Sequence, residues 1–375
     1  MAIEILLTEQ ELYQKVSLLI NSFVNTHRMT KEELLFRALD SAFQLIPEAE
    51  KGSLYIEKNG VYKAICAKGY DMELLKEISF TKDDLFIGFE CTDVDAIESY
   101  ENYIEKRIDE KFTPDMLETF KQLGTYGNFT SLYAPLQFEE NLFGLISLER
   151  FDDASYSIQS REILRFYAQS ISNFYALKLK QEKEKQMYSE IIEALATAIE
   201  IKDSYTEGHA RRVMLYSEWI ATALDIPPAS LESLTTAALL HDIGKIGIPN
   251  EILDKPAKLT SEEYDIIKRH PENAKRILEN IAGFTEVVAI AYLHHEHFDG
   301  KGYPQGLKAD EIPMCAHILQ LADAFDAMTS KRAYRDAISH EDAISILIEG
   351  SGKQFHPEVV TAAVEIFKNK VRFVN

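Results

Sequence analysis

The sequence predicts a multidomain chain: an N-terminal α+β domain built on an antiparallel sheet with helices, a long linker helix, and a C-terminal all-α domain. Three observations predict it. Two strand pairs, each closed by a tight polar turn, lie before residue 150. A charged, strongly helix-forming run, KLKQEKEK at Lys178–Lys185, joins two stretches of helical spacing. From Glu193 onward the pattern is helical nearly to the end, and nine of the ten histidines lie after residue 200.

In chain order, Glu11–Phe23 and Lys31–Leu45 read as amphipathic helices. Gly52–Glu57 and Val61–Ala67 read as strands around Lys58-Asn59-Gly60, an Asn-Gly hairpin signal. Residues 92–124 read as a long acidic helical insert. Ser131–Gln137 and Leu142–Glu149 read as a second strand pair around Glu139-Glu140-Asn141. A sheet with helices against one face follows from that order. From Ser160 to about Ile201 one long helix is expected. Apolar residues recur at Ile163, Tyr167, Ile171 and Phe174, then at Met187, Ile191, Leu195 and Ala198, as one continuous stripe. Such a stripe makes either a parallel two-helix seam, and hence a homodimer, or a solvated spacer; the seam is the expected reading. The expected domains are therefore 1–159, a linker helix at 160–201, and 202–375.

Composition narrows the function. The chain has 375 residues, 46% of them hydrophobic, enough for two or three cores. A net charge of -21 repels polyanions, so neither a nucleic-acid polymer nor an anionic lipid surface is an expected partner. A small phosphate ligand stays open where metals and a few cations invert the field locally. Cys66, Cys91 and Cys315 have no CxxC spacing, which argues against a disulfide framework and fits a reducing compartment. No apolar run approaches the roughly 20 residues of a membrane helix, and the first residues lack a signal-peptide pattern; a cytoplasmic location is the expectation.

GSLYIEKNGVYKAICAKGY and SLYAPLQFEENLFGLISLER resemble the early and closing hairpins of a GAF domain, over about residues 15–178. The resemblance implies a GAF-like sensor holding an unidentified small ligand, or a domain used only for dimerisation.

The C-terminal half carries the chemistry. In order come His209, the pair His241-Asp242 closing the apolar run TTAALL, His270, the pair His294-His295, and Asp323 within ILQLADAF. A charged residue rarely closes so apolar a helix unless something pairs it. Neutral imidazoles and ionised carboxylates without a thiolate suit a dinuclear first-row metal centre. The ordered string, with HDIGK at His241–Lys245 and HHEHFDGKGYPQGL at 294–307, resembles the HD-GYP family of cyclic dinucleotide phosphodiesterases, an HD-type fold, over about residues 190–370.

That resemblance implies that His209, His241, Asp242 and Asp323 hold one divalent metal ion, and His270, His294 and His295 the second, with Asp242 bridging. It makes Lys245 a cation near metals or phosphate, Tyr303 a substrate contact, and Arg332 and Arg335 a basic pair for phosphate or base. The implied reaction is hydrolysis of cyclic di-GMP to linear pGpG, with further cleavage to GMP left open. Iron is the first expected metal and manganese the second, since imidazole-rich sites accept several ions. Two metals about 3.5–4 Å apart polarise a phosphodiester and lower the pKa of a water between them.

One departure bears on metal count. Three-metal relatives carry a Glu four residues before the first His, where this chain has Tyr205. Glu207 is two residues from His209 and on a helix faces elsewhere, while Asp203 is six away. Two metals, and a reaction stopping mainly at pGpG, are expected. His297 reads as a neighbour of the ligands or a surface residue, His317 as core or helix start, His340 and His356 as peripheral, and Trp219 as core. Two alternatives remain: a catalytically weak receptor for the dinucleotide, and a phosphodiesterase for hybrid cyclic GMP-AMP.

Overall fold

The computed structural model describes residues 14–15, 17–18, 21, 29–81, 95–97, 114–125, 130–152, 154–202, 208–255, 257–330 and 337–370. The chain divides into two compact units, Met1–Glu184 and Lys185–Asn375.

The first unit is a six-stranded antiparallel sheet in the order β3-β2-β1-β6-β5-β4. Its strands are β1 (Lys51–Lys58), β2 (Val61–Lys68), β3 (Ser79–Thr81), β4 (Asp95–Ile97), β5 (Thr130–Phe138) and β6 (Asn141–Arg150). The Asn-Gly turn forms as predicted: Asn59 and Gly60 take φ of 57° and 81°, pairing Lys58 with Val61. Helix α1 (Lys31–Leu45) starts at a capping box between Thr30 and Glu33. Its Leu34, Leu35, Ala38, Leu39 and Ala42 pack against one sheet face together with Leu164, Tyr167, Ala168 and Ile171. The α+β layering is the one the sequence predicts. The expected helix at 11–23 lies largely outside the described residues.

Two expectations are corrected here. The insert at 92–124 is not one helix: it contains strand β4, and among its described residues the helix, α3, spans Pro114–Gln122. Pairing of Asp95, Ala96 and Ile97 with β5 decides this, a long-range contact that local polarity does not announce. Helix α2 (Met72–Glu77) and strand β3 also escaped the pattern, being too short to show a period.

Helix α4 (Ile158–Lys202) is 45 residues long and runs through the boundary between the units. The apolar residues along it are not one stripe. Tyr167 and Ile171 are sealed in the first unit's own core, and Ile163 and Phe174 pack against it. Met187, Ile191 and Leu195 are exposed, at 56%, 52% and 39%. Spacing alone reports that a face is apolar, not which neighbour covers it.

The second unit is helical: α5 (His209–Ala223), α6 (Pro228–Leu240), α7 (Asn250–Leu253), α8 (Ser261–Ile267), α9 (His270–Leu278), α10 (Thr285–Leu293), α11 (Met314–Thr329), α12 (His340–Glu349) and α13 (Pro357–Lys370), with 3₁₀ turns at Ile243–Gly247 and Ala309–Glu311. One core joins α5, α6, α10, α11, α12 and α13, and Ile192 and Ile199 from the end of α4 enter it. Trp219 packs on its edge. Among the described residues no helix is long and apolar enough to cross a membrane.

Candidate metal centre

All the predicted ligands but Asp323 stand at or beside helix ends. His209 opens α5, His241 caps α6, Asp242 opens the 3₁₀ turn, His270 opens α9, and His294 and His295 follow α10; Asp323 lies within α11. The reason is local. Proline at the start of α6 begins a helix whose Leu234, Ala237, Ala238 and Leu240 are sealed, so its C-terminus delivers His241 into the core. Gly244 then allows the 3₁₀ turn to lie on α9: a Cβ there would sit 1.9 Å from the carbonyl oxygen of His270.

The side chains converge in two trios. His209, His241 and Asp323 offer ligand atoms within 4.8 Å of one another, and so do His270, His294 and His295. His241, Asp242 and His294 make a third such group between them. Asp242 reaches both sides. Its Oδ1 is 3.6 Å from His270 Nε2, and its Oδ2 is 3.5 Å from His241 Nε2 and 3.9 Å from His209 Nε2. Lys245 Nζ donates to the same Oδ2 at 2.8 Å.

Hydrogen bonding fixes which ring nitrogen faces the cluster. The Nδ1 atoms of His241, His270 and His294 lie 2.8, 2.9 and 2.8 Å from the carbonyls of Ala238, Ile267 and Ala291. A carbonyl only accepts, so each Nδ1 carries the proton and each Nε2 a lone pair. His209 does the same toward a carboxylate, Asp326, at 2.8 Å. The Nε2 atoms of His270 and His294 are buried with no hydrogen-bond partner, and that of His209 lies 3.4 Å from Asp323 Oδ1. Buried polar atoms without partners are rare, and lone pairs aimed together beside two carboxylates fit divalent metal ions.

The charges agree. Burial opposes ionisation of Asp242, but Lys245 and the imidazoles of His241, His270 and His209 outweigh it and hold the carboxyl well below its ordinary range. Asp323 is held low in the same way, burial being overcome by His209, His241 and His295. Burial, reinforced by neighbouring imidazoles, keeps His294 and His270 neutral and pushes His295 down to about 3. His209 differs: burial disfavours its charge, but Asp323 and Asp326 overcome this and push it up to about 9. A raised histidine stabilises the metal-free fold fully below about pH 6.5, and that contribution is lost as pH rises through about 9. A ligating imidazole must be neutral, so metal uptake by chelator-stripped protein is expected to release a proton and to tighten as pH rises toward 9. Manganese titrations at stepped pH check it, and an affinity flat between pH 6.5 and 9 would refute the assignment.

The GYP loop is built onto the second trio. Tyr303 stacks on His295 at 4.7 Å and 30°, and its N–H donates to the His295 carbonyl at 3.2 Å. Gly302 has no room for a side chain: a Cβ would lie 2.2 Å from His297 N. Gly300 and Gly306 take φ of 82° and 71°, the left-handed region that glycine favours. Arg332 and Arg335 lie outside the described residues, as do Asp203, Tyr205 and Glu207. His297 is partly exposed beside the trio, and His317 is buried in the first turn of α11. His340 stacks on the core ring of Phe325, and His356 packs edge-on to Phe298 of the loop.

Three residues with structural parts in the site have no role in the sequence reading. Asp326, 1% exposed, accepts from His209 Nδ1 and from Arg212 Nε at 2.6 Å, locking the first imidazole. It stands three residues after Asp323 in an apolar helix, and the reasoning that singled out Asp323 applies to it too. Glu296, also 1% exposed, accepts the backbone N–H groups of Gln305, Gly306 and Leu307 at 2.6, 3.0 and 3.1 Å. Glu200, near the end of α4, accepts the N–H groups of Gly208 and Ala210 at 3.0 and 3.1 Å and so caps the helix that presents His209.

Asp326→Asn is expected to weaken metal binding by about 10–100-fold, as loss of a ligand's outer partner does, with little change in secondary structure. Chelator competition checks it. Glu296→Gln leaves all three loop amides without a charged acceptor and turns one of the two accepting oxygens into a donor. Faster hydrogen exchange at Gly306 and Leu307, with stability lower by about 1–3 kcal/mol, is expected.

Residues 193–359 match the family described as HD domain. Among curated relatives, the chain is 42% identical over 181 residues to a cyclic di-GMP phosphodiesterase of Thermotoga maritima, covering 48% of this chain and 49% of that one. It is 40% identical over 172 residues to the 3'3'-cGAMP-specific phosphodiesterase 3 of Vibrio cholerae, covering 46% and 37%, and 37% identical over 206 residues to a cyclic di-GMP phosphodiesterase of the same organism, covering 51% and 42%. The chain thus spans half or less of the length of these relatives.

Proposed function

We propose that the C-terminal unit is a metal-dependent phosphodiesterase that hydrolyses cyclic di-GMP to pGpG at a two-metal centre, under control of a GAF-like sensor. The observation that carries this reading is the pair of imidazole-rich trios flanking Asp242, with buried, partnerless Nε2 atoms directed between them. His209, His241, Asp242 and Asp323 would hold one ion, and His270, His294 and His295 the other. Iron is the first expected ion and manganese the second. When bound, such ions activate water and offset phosphate charge.

The chain's own groups prepare the rest. Asp242 stays ionised beside Lys245, whose ammonium supplies positive charge next to the phosphate in an otherwise acidic protein. Tyr303, seated on His295, walls the second trio on the loop side. Arg332 and Arg335 are proposed to add guanidinium groups for the phosphoryl charge. One water adds across one phosphodiester, opening the ring to the linear dinucleotide. The absence of a carboxylate at Tyr205 supports two ions and a stop at pGpG. Glu200 links the end of α4 to the helix of His209, which supports the sensor reading. The exposed Met187, Ile191 and Leu195 support a parallel homodimer along α4 in a cytoplasmic protein, and sedimentation of an Ile191→Lys variant as a monomer is the expected check.

The test is product analysis with cyclic di-GMP and 3'3'-cGAMP, anaerobically, with ferrous or manganous ion. Accumulating pGpG is expected. Hydrolysis of neither substrate by metal-loaded protein sinks the enzyme reading and leaves the receptor; rapid, complete conversion to GMP sinks the two-metal reading. The second substrate is included because one of the relatives is named as specific for it.

A further inference from the structure

We infer that Tyr264 and Lys268 select a guanine base of the substrate, Tyr264 by stacking on it and Lys268 by donating to its O6 and N7. The inference deepens the phosphodiesterase reading above and rests on it. Both residues come from the segment of α8, which a capping box between Thr260 and Glu263 starts. They stand four positions apart and so share one side of the helix. Lys268 precedes His270 by two residues, so α8 leads directly into the second trio.

Contacts run outward from that trio in one chain. Tyr303 stacks on His295, and Lys268 Nζ lies 6.0 Å from the centre of the Tyr303 ring and 4.7 Å from that of Tyr264. Burial, then Tyr264 and the carboxylates of Asp323 and Asp242, hold the Tyr303 phenol protonated, so Tyr303 is close to both Tyr264 and the cluster. Tyr264 is 47% exposed and the Lys268 side chain 36%, so neither is there to seal a core. Asp265 accepts from Lys268 Nζ at 3.2 Å, but Asp265 is 68% exposed, and an ion pair that open contributes little. Contacts of an ammonium with exposed rings are weak as well. The flexible four-carbon stem of lysine lets Lys268 exchange these contacts for a ligand.

The chemistry of the two side chains fits a base and chooses which one. An ammonium has three donors and no acceptor. Guanine presents two acceptors, O6 and N7, on one edge, whereas adenine carries an amino donor in place of O6. Lys268 therefore bonds the guanine edge and opposes the adenine one. Every base has a face that stacks on an aromatic ring, so Tyr264 adds affinity without choosing. Phosphate is the other natural partner of a lysine. Lys245 already stands beside Asp242 for that charge, whereas Lys268 is shared by two tyrosine rings, the surroundings of a base.

Calorimetric titration of the full, manganese-loaded chain with GMP and with AMP tests this without turnover. GMP is expected to bind at least about tenfold tighter than AMP. Lys268→Met should remove that preference by weakening GMP alone. Lys268→Gln, whose amide pairs with N6 and N7 of adenine, should move the ratio of affinities about tenfold toward AMP, a gain that misfolding does not produce. Tyr264→Ala should weaken both nucleotides about tenfold, and Tyr264→Phe should keep them. With cyclic di-GMP as substrate, Lys268→Met and Tyr264→Ala are expected to raise KM more than they lower kcat. A parent without a base preference, equal loss of both nucleotides in Lys268→Met, or Tyr264→Ala within about twofold of the parent would overturn the proposal. Mononucleotide binding needs no hydrolysis. A parent that prefers GMP but leaves cyclic di-GMP intact fails only the phosphodiesterase reading, and an active parent without the preference fails only this inference.

Discussion

Asp242→Asn is expected to remove both metal ions and to lower hydrolysis by at least about 10³-fold, the scale of losing several kcal/mol of charge stabilisation. Asp242 reaches both trios, its two oxygens lying within 3.9 Å of the Nε2 atoms of His209, His241 and His270. Asparagine keeps the shape but turns one oxygen into a donor, so that N–H groups point at imidazole lone pairs or at an ion. Lys245 also loses the carboxylate it touches at 2.8 Å, leaving a nearly buried ammonium beside neutral imidazoles. The metal-free variant should therefore melt below the metal-free parent as well, because an uncompensated buried charge is costly. Metal content by elemental analysis, paired with the hydrolysis assay, reads the first effect and calorimetry the second. A variant that keeps two ions and activity within about tenfold of the parent would refute the proposed bridging role of Asp242.

Gly244→Ala carries the next largest effect, through packing rather than charge. The added methyl would lie 1.9 Å from the His270 carbonyl and 2.6 Å from the Ala274 nitrogen, both backbone atoms of α9. Neither end is a flexible side chain that can swing aside, so the 3₁₀ turn and α9 must separate. Overpacking of this kind costs about 1–3 kcal/mol and more where backbone meets backbone, and a loss of about 3 kcal/mol is expected. The same displacement draws His270 away from Asp242. Metal lost from the second trio at temperatures where the helices remain folded is the distinguishing result. A variant that is merely less stable, with both ions bound at full affinity, would show that Gly244 serves the fold alone.

How much of this was readable beforehand follows from the range of the contacts. The Asn59-Gly60 hairpin, the capped start of α1 and the burial of the run before His241 depend on residues a few positions apart, and period and composition report them. The convergent His and Asp string was visible because each member sits beside an apolar segment that must pack, and chemistry limits what a buried His or Asp beside it is for. Strand β4 was not visible, since three residues carry no period and their pairing with β5 is made across the insert. The stripe on α4 misled for a related reason: Tyr167 and Met187 are equally apolar in the sequence, yet one is sealed under its own sheet and the other is exposed.

By itself, then, the sequence determined the two-part architecture, the long joining helix and the identity of the residues gathered between α5 and α11. Only the tertiary structure decided which ring nitrogens face the cluster, that Asp326 holds His209 from 117 positions away, and that Glu296 clamps the loop after it. The physical reason is that side-chain type follows from local sequence, whereas the pairing of a buried polar atom depends on which distant backbone or carboxylate the packing of helices and strands brings within about 3 Å.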